Sequence, residues 1–243
     1  MVKYHMIKLT ADNIYAMGDT HTLDIVSILK HFNLKDFILI HTGDMGEGFS
    51  KNIEFKVDNI YLDNLEDYCE SNNGKILITR GNHANPKYYT DSHWTRERYK
   101  HVTFVKDYTY YSINGSLFLF AGGATSIDRL ARNVNHDYWE DEVFELPNDY
   151  TDLYQCDILV THSVTIDAPP IGGLDRIAGW FKNDPSLRYE LIEEREKIKK
   201  LVDQVKPKIN LYGHFHNTYS ERIEGTWFRG LDINELLDIT RDL

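Results

Sequence analysis

The chain has 243 residues, enough for one sizeable hydrophobic core, and its 42% apolar content excludes wholesale disorder. Lys and Arg total 27 against 38 Asp and Glu, a net charge of −11 that gives a polyanion no long-range attraction and disfavours duplex nucleic acid as a partner. No apolar run approaches the ~18 residues of a membrane span, the first residues lack the apolar stretch of a secretion signal, and Cys69 and Cys156 form neither a disulfide framework nor a Cys-x-x-Cys motif. These features lead us to expect one cytoplasmic domain spanning 1–243, with two reduced core thiols.

In chain order, short β-branched-rich runs bounded by turn residues read as buried strands. Ile14 to Met17 leads to Gly18-Asp19, and Phe37 to Ile40 leads to Gly43-Asp44. Between them, Leu23 to Phe32 shows the apolar spacing of a helix, with Ile25, Val26, Ile28 and Leu29 on its buried side. A second helix is expected over Ile53 to Tyr68. Lys75 to Thr79 is a strand leading to Gly81-Asn82-His83. Val102 to Val105, Tyr108 to Ile113 and Leu117 to Phe120 follow as strands, the last two joined by Asn114-Gly115, which tolerates the positive φ of a tight hairpin. Asp157 to Val160 leads to Thr161-His162. Leu187 to Val205 is a long charged helix with Leu191, Ile198, Leu201 and Val205 in its apolar stripe, stopped before Pro207. Ile209 to Tyr212 leads to Gly213-His214, and a second hairpin spans Tyr219 to Arg229 around Glu224-Gly225. Ile233 to Leu243 reads as a short helix or a tail. The alternation predicts an α/β fold of two packed mixed β-sheets flanked by helices.

The polar residues fall where such a fold places ligands, just beyond the carboxyl ends of strands. Asp19 and His21, Asp44, Asn82 and His83, His162, and His214 with His216 each follow a predicted strand. Any one of them alone reads as a cap or a satisfied polar residue. Together they are a costly set to pack without a cation. Carboxylate, amide oxygen and imidazole in one cluster suit first-row metals such as Mn, Fe, Zn, Co or Ni rather than an all-oxygen calcium cage. Bound metals would also reverse the local sign of an acidic pocket. His5, His31, His41, His93, His101 and His136 lie outside these motifs and read as ordinary polar residues. The Tyr88-Tyr89, Trp94 and Tyr108-Tyr110-Tyr111 groups, with no basic groove beside them, read as packing rather than base stacking.

The ordered set Gly18-Asp19-Thr20-His21, Gly43-Asp44, Gly81-Asn82-His83, Thr161-His162 and Gly213-His214-Phe215-His216 resembles the calcineurin-like metallophosphoesterase superfamily. The resemblance implies a β-sandwich between helices, the αββα arrangement. It implies two divalent metal ions, one on Asp19, His21, Asp44 and His216, the other on Asp44, Asn82, His162 and His214, with Asp44 bridging. Mn or Fe is favoured by the resemblance. It further implies hydrolysis of a phosphomonoester or phosphodiester by a metal-bridging hydroxide, with His83 facing the substrate as general acid or charge stabiliser. The expected partner is a phosphate-ester substrate, a small molecule or nucleotide. A nuclease is the enzymatic alternative. A binding scaffold on the same fold should have lost ligands or the catalytic histidine, and this chain keeps all eight residues.

The sequence departs from the family in two places and resembles one of its subgroups in a third. Ala84 stands where many relatives carry an acidic residue after the Asn-His pair, so Glu47 is a candidate partner for His83, its alternative being a solvated loop residue. The Asp-Arg-Gly continuation of Ser/Thr protein phosphatases is missing after Asp44. The loop Gly122 to Arg129, with the Tyr138-Trp139-Glu140-Asp141-Glu142 stretch downstream, resembles a bacterial and phage-type subgroup. It offers Arg129 or Arg132 as substrate-phosphate ligands, against the plainer reading of a surface arginine. Ala168 to Gly173, after His162, is a candidate pocket wall or lid.

Overall fold

The computed structural model describes residues 6–21, 24–49, 58–91, 93–170 and 177–243. Twelve strands in the described residues form two sheets. The five-stranded sheet contains β2 (Asn13–Met17), β3 (Phe37–His41), β4 (Lys75–Ile78) and β5 (Val102–Phe104), all parallel, with β12 (Leu236–Asp238) antiparallel on the β2 edge. The seven-stranded sheet contains β1 (Ile7–Leu9), β6 (Thr109–Ile113), β7 (Ser116–Ala121), β8 (Ile158–Thr161), β9 (Ile209–Tyr212), β11 (Thr226–Gly230) and β10 (Tyr219–Ile223), in that spatial order. Its centre, β7-β8-β9-β11, is parallel, and antiparallel pairs β6-β7 and β10-β11 adjoin it. Both sheets are mixed, as expected.

Period-two alternation sorts each strand's side chains between two cores. Ile14, Ala16, Ile38, Ile40 and Leu77 of one sheet meet Tyr111, Phe118, Phe120, Val160 and Leu211 of the other in the layer between sheets. Leu39, Ile76 and Ile78 point the opposite way, onto α1 (Ile25–His31) and α2 (Asn59–Ser71). On the far side, Tyr110, Leu119 and Leu159 pack against Ile198, Leu201 and Val205 of α4 (Leu187–Val205). A one-turn helix, α3, covers Thr95–Arg98. The layers therefore run helix, sheet, sheet, helix.

Asp24 and Asp58 cap α1 and α2 by accepting from the Val26 and Tyr61 amides. The expected start of the second helix, residues 53–57, lies outside the described residues, as does Leu23. Two strands went unforeseen. β1 is three residues long at a sheet edge, and β12 replaces the helix or tail expected near the C-terminus. Both are too short to show a period. Both thiols are buried and unpaired. Among the described residues, no helix is long and apolar enough to cross a membrane.

Candidate metal centre

The parallel strands of both sheets end at one rim, and the residues just after β2, β3, β4, β8 and β9 converge there. The Thr20 and His21 amides both donate to the Asp44 carbonyl at 3.1 Å, tying the loop after β2 to the loop after β3. The His214 amide donates to the Asp19 carboxylate at 3.1 Å, tying the two sheets together. Asp44, His214 and His216 have φ of 57, 67 and 50°, a region that non-glycine residues occupy at a cost. Two motif glycines are required by close approach. A Cβ on Gly81 would lie 2.0 Å from Asp44 Oδ1, and one on Gly213 would lie 2.1 Å from Asp19 Oδ1.

The side chains meet in two halves. In the first, His216 Nε2 lies 3.1 Å from Asp19 Oδ2 and 3.1 Å from His21 Nε2. In the second, His162 Nε2 lies 3.0 Å from Asn82 Oδ1 and 3.3 Å from Asp44 Oδ2, with the His214 ring edge-on to His162 at 5.0 Å. Asp44 Oδ2 is also 3.6 Å from His21 Nε2, so one carboxylate oxygen faces both halves. Its other oxygen, Oδ1, accepts from the His83 amide at 2.7 Å. Ligand atoms of Asp19, His21 and His216 fall within 4.8 Å of one another, as do those of Asp44, His162 and His214.

The electrostatics fit a cation. Burial opposes ionisation of Asp19 and Asp44, yet the surrounding imidazoles, His162 foremost, hold both carboxyls below their ordinary range. Burial alone would lower the His162 imidazole. The Asp44 and Asp19 carboxylates outweigh it and raise it to about 9. His162 Nδ1 donates to the Thr42 carbonyl at 2.9 Å, which turns Nε2 towards Asn82 Oδ1 and Asp44 Oδ2, the oxygens that would share a metal with it. His214 goes the other way, to about 3, through burial and the charge of His162. Nitrogen and oxygen donors converging on two points, with one carboxylate shared, match what two divalent ions require.

The calcineurin-like phosphoesterase family model matches residues 13–218, a span that contains every residue named in this centre. The chain belongs to the calcineurin-like phosphoesterase family. No curated protein matches the sequence. Among solved structures, the chain is similar to the crystal structure of phosphopantetheinyl hydrolase (PptH) from Mycobacterium tuberculosis, at 14% identity and a TM-score of 0.44, covering 91% of this chain and 89% of that one.

Around this family core, the remaining expected residues divide. Arg132 reaches the site. It is buried, donates from Nη2 to His83 Nε2 at 2.6 Å and from Nη1 to the Asn82 carbonyl at 3.2 Å, and pairs with Asp128 at 2.6 Å. Arg129 does not. Its guanidinium is taken by Asp184, at 2.6 Å, and by Glu190, so it fastens the loop after β7 to the start of α4.

The expected Glu47–His83 pair is not formed. Glu47 is fully buried and accepts from Tyr89 Oη, and burial pushes its carboxyl up to about 8. His83 instead stacks on Phe49, with ring centroids 4.8 Å apart. Burial lowers the His83 imidazole to about 4, with Arg132 adding to the effect over the opposing pull of Asp44. A neutral His83 whose Nε2 accepts from Arg132 has no proton there to donate. The Arg132 guanidinium thus stands against Nε2 of the ring that the sequence assigned to the substrate.

Four supporting residues were not anticipated. Asn82 Nδ2 donates to Ser126 Oγ at 3.0 Å, and Ser126 Oγ donates to Glu142, which also accepts from the Trp139 amide. This relay turns Asn82 Oδ1 inward. His41, classed above with the ordinary histidines, donates from Nε2 to Thr20 Oγ1 and accepts the Gly43 amide on Nδ1, bracing two ligand loops. Arg80 is buried, paired with Asp107 at 2.9 Å, and donates to the carbonyls of Gly122, Asp141, Glu142 and Val143. Ser126 and Glu142 lie inside the two segments that the subgroup resemblance marked. Arg80 directly precedes Gly81 and His41 lies two residues before Gly43, but nothing in their spacing distinguishes them.

A cavity of about 440 Å³ opens onto Asp44, Asn82, His83, His214 and His216. Pro170 of the expected wall lines it, while residues 171–173 of that segment lie outside the described residues.

Proposed function

We propose that this protein hydrolyses phosphate esters at a two-metal centre, working as one domain over residues 1–243. The observation that carries the reading is Asp44, whose Oδ2 faces both halves of a seven-residue donor set. Asp19, His21, Asp44 and His216 would hold one ion, and Asp44, Asn82, His162 and His214 the other. Mn or Fe is favoured, and Zn, Ni or Co would suit the same donors. When bound, two such ions supply Lewis acidity and water acidified towards neutrality.

The chain's own residues supply the rest. Arg132 lines the cavity and presents a guanidinium, the group best matched to phosphoryl oxygens. His83 accepts from that guanidinium on Nε2 and donates its backbone amide to the Asp44 carboxylate, so the cationic side chain keeps a fixed position relative to the metal ligands. This assigns charge stabilisation to Arg132, with His83 orienting it.

The test is hydrolysis of bis-p-nitrophenyl phosphate and p-nitrophenyl phosphate with added manganese, comparing wild type with Asp44→Asn. Diester cleavage that vanishes in the variant supports a phosphodiesterase, and monoester cleavage alone supports a phosphatase. Absence of both activities, with no metal by elemental analysis, overturns the proposal and favours a binding scaffold.

A further inference from the structure

The cavity beside the metal centre has a second wall that the phosphoryl chemistry does not use. Ile127, Ile177, Trp180, Leu191, Phe215 and Tyr219 line it, contributed by four separate segments of the chain. Its volume is that of a small-molecule site. Trp180 is 41% exposed, so a large aromatic face stands open at the rim.

The charged residues along this wall are already engaged. Glu194 accepts from the Thr125 amide and hydroxyl at 2.5 and 2.7 Å. Arg195 donates to the carbonyls of Val164, Thr165, Ala168 and Pro170, and its flat face lies 5.6 Å from the Phe215 ring centre. Asp128 is paired with Arg132, which belongs to the metal end. A second anionic group on the substrate would therefore find no unengaged cation among the described residues of this wall. It would meet the carboxylates of Glu194 and Asp128 instead. An uncharged apolar group would displace water from six apolar side chains, and its burial is favourable in proportion to area.

Resting on the phosphoesterase reading above, we propose that the substrate is a small phosphate ester whose organic group is uncharged and apolar, aryl or alkyl, and that this group fills the Trp180 side of the cavity.

The experiment uses three alcohols, methanol, 2-phenylethanol and glycolic acid, each as its p-nitrophenyl phosphate diester and as its phosphate monoester. Within the diester series the departing nitrophenolate is constant, so differences report the other arm. The proposal expects kcat/KM for the phenylethyl ester to exceed that for the methyl ester by roughly tenfold or more, with the carboxymethyl ester poorest. Trp180→Ala should collapse that ratio towards one, and Trp180→Phe should restore much of it. In parallel, calorimetry of phosphonate binding should rank 2-phenylethylphosphonate above methylphosphonate in wild type but not in Trp180→Ala. Equal rates for the methyl and phenylethyl esters, a preference for the carboxymethyl ester, or a ratio unmoved by Trp180→Ala would each overturn the assignment. Hydrolysis of none of the six esters by manganese-loaded protein overturns the phosphoesterase reading itself, and the phosphonate ranking then judges the cavity alone.

Discussion

Ser126 illustrates how much of this centre is decided by single atoms. Its hydroxyl fixes which end of the Asn82 amide faces inward, and Glu142 fixes the hydroxyl. Removing such a partner typically weakens metal binding by roughly 10–100-fold. Ser126→Ala should show a loss of that order in chelator competition, with the fold retained by circular dichroism. Glu47 makes a different prediction. Burial keeps its carboxyl protonated in the fold up to about pH 8, while the unfolded chain ionises near pH ~4.3. The native state therefore binds the extra proton between those values, and stability falls as pH rises through that window. Gln carries no such proton, so Glu47→Gln should flatten the slope. Urea midpoints compared at pH ~5 and pH ~8 for both proteins check this, and a slope as steep as wild type would sink it.

Strands and loops set the positions that those atoms occupy. Arg80, two residues after β4, joins three segments by donating to four carbonyls and one carboxylate. Arg80→Met would leave these acceptors short of partners and should cost roughly 3 kcal/mol or more in urea unfolding. Gly213, after β9, makes room for the Asp19 carboxylate, so Gly213→Ala should lower metal content in elemental analysis by displacing that ligand. Element order was legible in advance because buried parallel strands are short apolar runs ending in turn residues. The Asn114-Gly115 hairpin was legible because both residues take positive φ, 50 and 91°. β12 was not, since Leu236–Asp238 gains its extended form only from pairing with Met17, Ala16 and Tyr15.

Across the whole molecule, folding and metal binding should be coupled. In chelator-treated protein near neutral pH, His162 carries a proton on the nitrogen that would face the metal, because its pKa stands at about 9. Loading with manganese should displace that proton, so calorimetric enthalpies should change with the ionisation heat of the buffer. Identical enthalpies in two buffers would rule out this proton displacement. Any cation that binds only the folded state also stabilises it, by about 2.7 kcal/mol at 100 times its Kd. Thermal unfolding should therefore rise with manganese concentration and return to its starting value on chelation.

The sequence by itself determined the layered α/β architecture and the identity of the eight residues at the strand ends. Hydrophobic period and turn chemistry are local, and ligands that follow parallel strands of one sheet share that sheet's rim. Only the tertiary structure decided the partners of those residues. Glu47 lies three positions from Asp44 yet bonds Tyr89, and Arg129 and Arg132 share a segment yet face α4 and His83 respectively. Such choices depend on which side chains distant elements bring within hydrogen-bond range, and spacing along the chain carries no record of that.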